Sequence, residues 1–389
     1  MKKTILFING HLDAGGCERS LIDVLKNIDY EKYEVDLLLL EHAGDFSPEI
    51  PKEVKVILCS IDSAFGRFVP CIVKAIKQRD WFSFFFRIYY TLGDKINRYF
   101  LKKLKKLFGK LKSDYDVIIA YRPGICTELA AFTFQGKKKI SWWHHGCMNF
   151  SGKDADILGM SYQRMDTIVA VSSSSASLIA ESFPDIKDKI KIIPNMIVPE
   201  ELYIKSRKFE PKEFQKADFK IVSVGRLSPE KNMILCPRVA HLLKQEGINF
   251  KWILIGDGTE EQEIKKTIYQ LGLHNEVLMI GKKNNPYPYI AMADVMVHPS
   301  LVESQGITLL ESMVLKTPII AVASQGPKEF IKTGRNGYLV NNNAKEIACI
   351  ICKFYVDINL RMLIAKDASK AVQRFGNEEI MKKIQGILE

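Results

Sequence analysis

Two series of short apolar runs, rich in β-branched residues and separated by helical patterns, organise this chain. In the first half the runs are residues 4–9, 35–40, 54–59, 116–121, 138–143, 167–172 and 191–194. The second half repeats the pattern at 220–225, 252–256, 277–281, 295–298, 318–322 and 338–340. Apolar runs of this length bounded by turn residues read as strands, and strand–helix alternation builds parallel sheets. The expectation is an α/β protein with two Rossmann-like, doubly wound sheets. A length of 389 residues suits two domains better than one core. The polar, proline-punctuated stretch 199–216 is the natural linker. No solenoid repeat and no low-complexity tract interrupts the pattern.

Candidate chemistry collects where strands are predicted to end. The run FKIVSVG, 219–225, is followed directly by RLSPEKN, which puts Arg226 and Lys231 beyond the carboxyl end of a strand. Open α/β sheets bind ligands at that edge. Two cations there match a diphosphate, Arg226 as a bidentate grip and Lys231 as a point charge. In VESQGITLLESM, 302–313, Glu303 precedes a hinge at Gly306, and Ile307, Leu309, Leu310 and Met313 fall at helical spacing. Glu303 then belongs to a loop and Glu311 to the second turn of a helix. Carboxylates accept hydrogen bonds from sugar hydroxyls, and helix N-terminal amides attract phosphate. A nucleotide sugar offers both groups; the bland alternative is a capped surface helix with two solvated acids.

In the first half, Gly15 and Gly16 follow the first strand and open a helix with Leu21, Ile22, Val24 and Leu25 inward. Glycines let a backbone approach a ligand closely, and the helix amides supply an anion site. The run SWWHHG, 141–146, carries His144 and His145 into a loop without a third ligand at recognisable spacing, so no zinc site is read there. Asp154 and Asp156 form an Asp-x-Asp, but in SGKDADILG rather than after an apolar strand, so metal dependence is not implied.

Charge changes the picture in one place. Between residues 66 and 112 thirteen basic residues face only Asp80 and Asp94, an excess equal to the net charge of the whole chain, +11. Interleaved with them are Phe65, Phe68, Trp81, Phe82, Phe84, Phe85, Phe86, Tyr89, Tyr90, Tyr99, Phe100 and Phe108. A basic segment with an aromatic face reads as an amphipathic surface anchor on an anionic membrane, rather than as a nucleic-acid site. The competing reading is a helical pair whose aromatics are core and whose lysines are solvated. No apolar run reaches the roughly 18 residues of a membrane span, and MKKTILFING lacks the small-residue cleavage site of a signal peptide. Eight scattered cysteines, with Cys349 and Cys352 a lone CxxC in an apolar helical segment, place the chain in a reducing cytoplasm with core thiols.

Taken in order, INGHLDAGGCERSLIDVL (8–25), IPNMIV (193–198), GRLSPEKN (225–232), GDG (256–258), ESQGITLLE (303–311) and GPKEFIKTGRNGYLV (326–340) resemble the family 4 glycosyltransferases over essentially the whole chain. The resemblance, of the bacterial surface-polysaccharide type, implies a GT-B fold with two Rossmann-like domains facing across a cleft. It places an acceptor-binding domain at 1–198, with the basic insertion at about 66–112. A nucleotide-sugar-binding domain follows at 199–369, and a final helix, 370–389, packs back on the first domain. It implies retaining transfer by front-face attack from a nucleotide sugar, in particular a UDP-sugar, to a glycan or lipid-linked acceptor, with no metal and no cofactor. The site carried over comprises His144 on the transferring sugar and Arg226 and Lys231 on the diphosphate. Glu303 would hold donor hydroxyls and Glu311 the ribose, with Gly15, Gly16, Gly256, Gly258, Gly306, Ile307 and Thr308 around the donor. The expected location is the inner face of the cell membrane, peripherally bound, with no nucleic-acid partner. One departure is visible: Ser304-Gln305 stands where the family often has Gly-Phe. Relatives that act as glycogen synthases or sugar-nucleotide epimerases, and a non-catalytic nucleotide-sugar-binding protein, share parts of this pattern.

Overall fold

The computed structural model of the protein describes residues 2–61, 64, 68–95, 98 and 100–389. Among these the first series of apolar runs forms seven strands: β1 Lys3–Asn9, β2 Tyr33–Leu39, β3 Lys55–Leu58, β4 Asp114–Ala120, β5 Gln135–Trp143, β6 Thr167–Ala170 and β7 Ile190–Ile192. The second series forms six: β8 Phe219–Val224, β9 Phe250–Ile255, β10 Val277–Met279, β11 Val295–His298, β12 Ile319–Val322 and β13 Tyr338–Val340. Every run read as a strand from the sequence is one. The chain divides into two compact units, Met1–Ile193 with Met381–Glu389, and Pro194–Ile380.

In the first unit the sheet order is β3-β2-β1-β4-β5-β6-β7, parallel throughout. β1 lies between β2 and β4, with Phe7 opposite both Leu37 and Ile119. Chain order reverses between β1 and β4, so their carboxyl ends open a crevice that no crossover covers. The central strands β1, β4 and β6 are buried almost throughout, as parallel sheets covered by helices require, while the edge strands β3 and β7 are largely exposed.

The second sheet runs β10-β9-β8-β11-β12-β13, again all parallel, with its reversal between β8 and β11. One core, including Trp252, Leu254, Val239, Ile351 and Phe354, packs beneath the helices Leu235–Gln245 and Ala344–Val356. A second, including Ile253, Met296, Leu309, Leu310 and Met313, packs on the other face with the helix Ile307–Val314. Trp252 is fully buried and donates its indole N–H to Ser223 Oγ at 3.1 Å, while Ser223 donates to the carbonyl of Val297 at 2.6 Å. These bonds lock β8 between β9 and β11. The chain enters this unit at Pro194, before the linker expected from composition. Asn195 is held by Gln305, and Ile197 pairs with Gly376, which draws the connecting stretch into the second unit.

The basic aromatic segment resolves into the helices Phe68–Lys77, Trp81–Lys95 and Leu101–Leu104. Phe65, Gly66, Arg67 and Tyr99 lie outside the described residues. Part of its aromatic content is core: Phe86 and Phe108 are buried, and Phe82 packs edge-on against Phe108. Arg98 is 2% exposed, 2.9 Å from buried Glu128, so its charge is spent inside the unit. Another part stays outside. Val69, Val73 and Ile76 are exposed at i, i+4 and i+7 of the first helix, joined by Phe68, Trp81 and Phe85. Among the described residues no helix is long and apolar enough to cross a membrane.

Candidate active site

The second unit builds its site at the β8/β11 reversal. β8 is apolar up to Val224, and Gly225 hands the chain to Arg226. A one-turn 3₁₀ helix, Pro229–Lys231, is closed by Asn232 at φ +53°, an αL position that asparagine tolerates. This turn is laced to the loop after β11: Leu301 N–H and Ser300 Oγ donate to the carbonyl of Glu230, and Asn232 Nδ2 donates to that of Pro299 at 3.2 Å. The lacing brings Lys231 to Glu303. Lys231 Nζ donates to Glu303 Oε1 at 2.6 Å, and His298 Nε2 lies 2.7 Å from the same oxygen. Glu303 and His298 are 8% and 3% exposed. Burial opposes ionisation of Glu303, but the charge of Lys231 and the bond to His298 outweigh it and hold the carboxyl well below the usual range. A carboxylate kept ionised in this way can only accept, which is what a partner for hydroxyls must do.

After Glu303 the backbone turns at Gly306, φ +87°, into the helix Ile307–Val314. The first amides of this helix, Ile307 and Thr308, are among those a helix leaves without an intrahelical acceptor, and both residues are partly exposed. Glu311, one turn on, is buried and accepts from Tyr287 OH at 2.9 Å. Gly326 supports the loop: a Cβ there would lie 2.5 Å from the carbonyl oxygen of Ser304, and its N–H donates to the Glu303 carbonyl.

Other expected residues fall differently. Arg226 stands in solvent, 73% exposed, with Nη2 3.3 Å from Glu230, and is not joined to the Lys231–Glu303 pair. Gly256 and Gly258 sit where backbone meets backbone. A Cβ on Gly256 would be 1.9 Å from the Gly225 carbonyl oxygen and one on Gly258 2.4 Å from that of Leu227. Their φ values of +152° and +151° also exclude side chains. In the first unit, Gly15 and Gly16 are exposed at the start of the helix Gly16–Asn27. His144 follows β5, half-buried, its ring centroid 4.9 Å from that of Tyr121. Asp154 and Asp156 are exposed in the first turns of the helix Gly152–Gln163, and all eight cysteines are free thiols.

Two residues of this region, His298 and Tyr287, were not singled out in the sequence, and a third, Gln305, was noted there without a partner. His298 is the last residue of β11, and a histidine closing an otherwise apolar strand was the available signal. Tyr287 carries no motif. Gln305 explains the departure from Gly-Phe: its Oε1 accepts from both the backbone N–H and Nδ2 of Asn195, each at 2.8 Å. A mainly apolar groove of about 830 Å³, lined by Leu242, Ala348, Cys349, Cys352, Val356 and Leu360 together with Glu246, Lys345, Lys353 and Asp357, lies on other elements.

Comparison with known proteins agrees with this division. Residues 14–201 match the family described as Glycosyltransferase Family 4, and residues 204–371 match Glycosyl transferases group 1. A poly(ribitol-phosphate) alpha-N-acetylglucosaminyltransferase of Staphylococcus aureus is 31% identical over 44% of this chain and 36% of its own length. An uncharacterized glycosyltransferase of Methanocaldococcus jannaschii is 24% identical over 59% of this chain and 60% of its own, so the chain spans less than two thirds of these two relatives. An N-acetylgalactosamine-N,N'-diacetylbacillosaminyl-diphospho-undecaprenol 4-alpha-N-acetylgalactosaminyltransferase of Campylobacter jejuni is 26% identical over 87% and 86% of the two chains. The crystal structure of Anabaena Alr3699/HepE in complex with UDP and glucose superposes with a TM-score of 0.76, at 22% identity and 99% coverage of both chains. With the two parallel sheets and the ordered motifs, these matches establish that the chain belongs to the family 4 glycosyltransferases and has the GT-B fold, its second half being a group 1 glycosyltransferase domain.

Proposed function

We propose that this protein is a retaining glycosyltransferase that moves a sugar from a UDP-sugar to a glycan or lipid-linked acceptor during assembly of a cell-surface polysaccharide. The observation that carries the reading is the ionised, buried Glu303 held by Lys231 and His298 beside the amino end of the helix Ile307–Val314. In this reading Glu303 accepts from donor-sugar hydroxyls, Glu311 from the ribose, and the amides of Ile307 and Thr308 hold phosphate. Arg226 and Lys231 stabilise the charge that grows on the diphosphate, where preorganised cations act most strongly. His144 keeps the sugar-contacting role that the resemblance implies. The anomeric carbon–oxygen bond to the diphosphate breaks as the acceptor oxygen bonds to the same face of that carbon. The acceptor proton passes to the departing diphosphate, so the product keeps the donor's anomeric configuration and no metal is needed.

UDP and a lipid-linked acceptor are supported by the relatives, whose names include UDP and a diphospho-undecaprenol. Peripheral binding at an anionic membrane is supported by the exposed Val69–Val73–Ile76 stripe with Trp81 and Phe85, flanked by exposed Lys74 and Lys77. A screen of nucleotide sugars for thermal stabilisation and donor hydrolysis tests the reading. Turnover with a UDP-sugar and retention at the anomeric carbon support it. Binding without turnover, epimerisation of the donor, or transfer only to a soluble glucan would each replace it with a different activity.

A further inference from the structure

We propose that the first unit carries a site for a divalent transition-metal ion of the zinc class, built from His11, Asp13 and His42. His11 and Asp13 follow β1 and His42 follows β2, and these strands are hydrogen-bonded neighbours. One ligand atom from each residue lies within 4.8 Å of the other two, and this is the one such group among the described residues. His42 Nε2 is 2.9 Å from both carboxylate oxygens of Asp13, and His11 Nδ1 is 3.6 Å from Asp13 Oδ2. The two imidazoles stack with centroids 5.2 Å apart and planes 9° from parallel. Donors about 2.0–2.1 Å from a tetrahedral ion stand about 3.4 Å from each other, so small side-chain shifts suffice to place all three on one ion.

The surroundings decide which nitrogen of His11 serves. Arg122 Nη1 lies 3.1 Å from His11 Nε2, and Glu41 Oε2 lies 3.9 Å from it. A guanidinium there excludes a second cation, so the ion takes Nδ1, on the side of Asp13 and His42; Nε2 then carries the ring proton, and Arg122, which can only donate, must move off it so that Glu41 Oε2 accepts instead. Nδ1 now accepts a 3.2 Å hydrogen bond from the Asp13 amide, and the ion replaces it. Asp13 and Glu41 supply negative charge, and Arg122 is itself 3.7 Å from Glu18. The two loops are already fixed to each other: Phe46 N–H donates to the Leu12 carbonyl, Ala14 N–H donates to Asp45 Oδ2, and Gly44 lies against the Leu12 backbone. The donors are therefore held in place before the ion arrives, which lowers the ordering cost of binding.

Two imidazoles and one carboxylate suit zinc, cobalt or nickel, whereas magnesium and calcium ask for oxygen ligands. Three protein ligands leave a position open, and the side chains of His42 and Asp13 are 52% and 37% exposed, so water reaches it. The ion would staple the loop that precedes Gly15 and Gly16 to the loop after β2.

The test uses the full-length chain freed of metal by chelator. Zinc chloride is titrated by calorimetry and cobalt chloride by visible absorption. One saturable equivalent, with cobalt d–d bands of a nitrogen/oxygen site and a rise in thermal midpoint with zinc, is expected. His42→Ala should abolish the equivalent and Asp13→Asn should weaken it at least tenfold, both with the wild-type circular dichroism in chelator. The double variant Cys349→Ser/Cys352→Ser should bind as wild type. His42→Cys should keep the equivalent and add a thiolate charge-transfer band to the cobalt spectrum, which decides the matter if His42→Ala folds poorly. No saturable equivalent in wild type, or undiminished binding in His42→Ala and no new band in His42→Cys, overturns the site. The readout is ion binding alone, so either result leaves the glycosyl-transfer reading standing.

Discussion

Replacing Lys231 by methionine keeps the apolar stem and removes the charge that faces Glu303. In the wild type the pair is short, 2.6 Å, and the two side chains are 19% and 8% exposed, so solvent screens it little. Breaking a buried pair by removing one partner costs about 3–5 kcal/mol, because the other charge is left uncompensated. Here the cost has a ceiling. Glu303 can take up a proton, and neutralising a glutamate of reference pKa about 4.3 at pH 7 costs about 3.7 kcal/mol. Lys231→Met should therefore destabilise the second unit by about 3 kcal/mol at pH 7. Adding Glu303→Gln removes the stranded charge, so the double variant should be more stable than Lys231→Met alone by at least about 1.5 kcal/mol. The pH dependence has a definite sign. The wild-type Glu303 carboxyl is depressed, so its stabilisation is present above the unfolded pKa and lost as pH falls through the folded one. In Lys231→Met burial raises that pKa, so the folded variant binds the extra proton and its deficit shrinks between pH 7 and about 4. Hydrogen exchange of β8 and β11 amides, followed by mass spectrometry across this pH range, reports the unit's own stability. A double variant less stable than Lys231→Met, or a deficit that does not change with pH, would refute the account of the buried carboxylate.

Further outcomes follow from the same geometry. Arg226→Ala should lower kcat/KM for the nucleotide sugar by about 10²–10³-fold, with the thermal midpoint unchanged because an exposed ion pair contributes at most about 1 kcal/mol. Donor turnover should survive excess EDTA, since Arg226, Lys231 and helix amides neutralise the diphosphate; loss of activity restored by magnesium or manganese would reopen the case for Asp154 and Asp156. Gly258→Ala should destabilise the second unit by at least about 2 kcal/mol in chemical denaturation, because its φ of +151° and the 2.4 Å approach to the Leu227 carbonyl leave no room for a methyl group. Changing Lys74 and Lys77, the exposed lysines that flank the Val69–Val73–Ile76 stripe, to glutamine should weaken binding to anionic vesicles in co-sedimentation while leaving transfer to a short soluble acceptor intact; equal binding of wild type to neutral vesicles contradicts the electrostatic reading.

The sequence by itself determined the two parallel sheets, because their central strands are buried on both faces and read as apolar runs between turn residues. It also located the loops that follow β8 and β11, since glycine hinges such as Gly306 and charges after apolar runs mark strand ends. What it could not determine is which partner each charged group meets. Lys231 and Glu303 are 72 residues apart, and their contact exists because the sheet reversal sets the β8 and β11 loops side by side. His298 meets Glu303 locally, five residues on in the loop after β11, whereas Gln305 reaches Asn195 across 110 residues. The basic aromatic segment shows a different limit. Amphipathic spacing is the same whether a helix faces a core or a membrane, so only packing separated buried Phe86 and Phe108 from exposed Val69, Trp81 and Phe85. His11, Asp13 and His42 make the point most plainly: they carry no metal-binding spacing in the sequence, and become neighbours only because β1 and β2 lie side by side and end together.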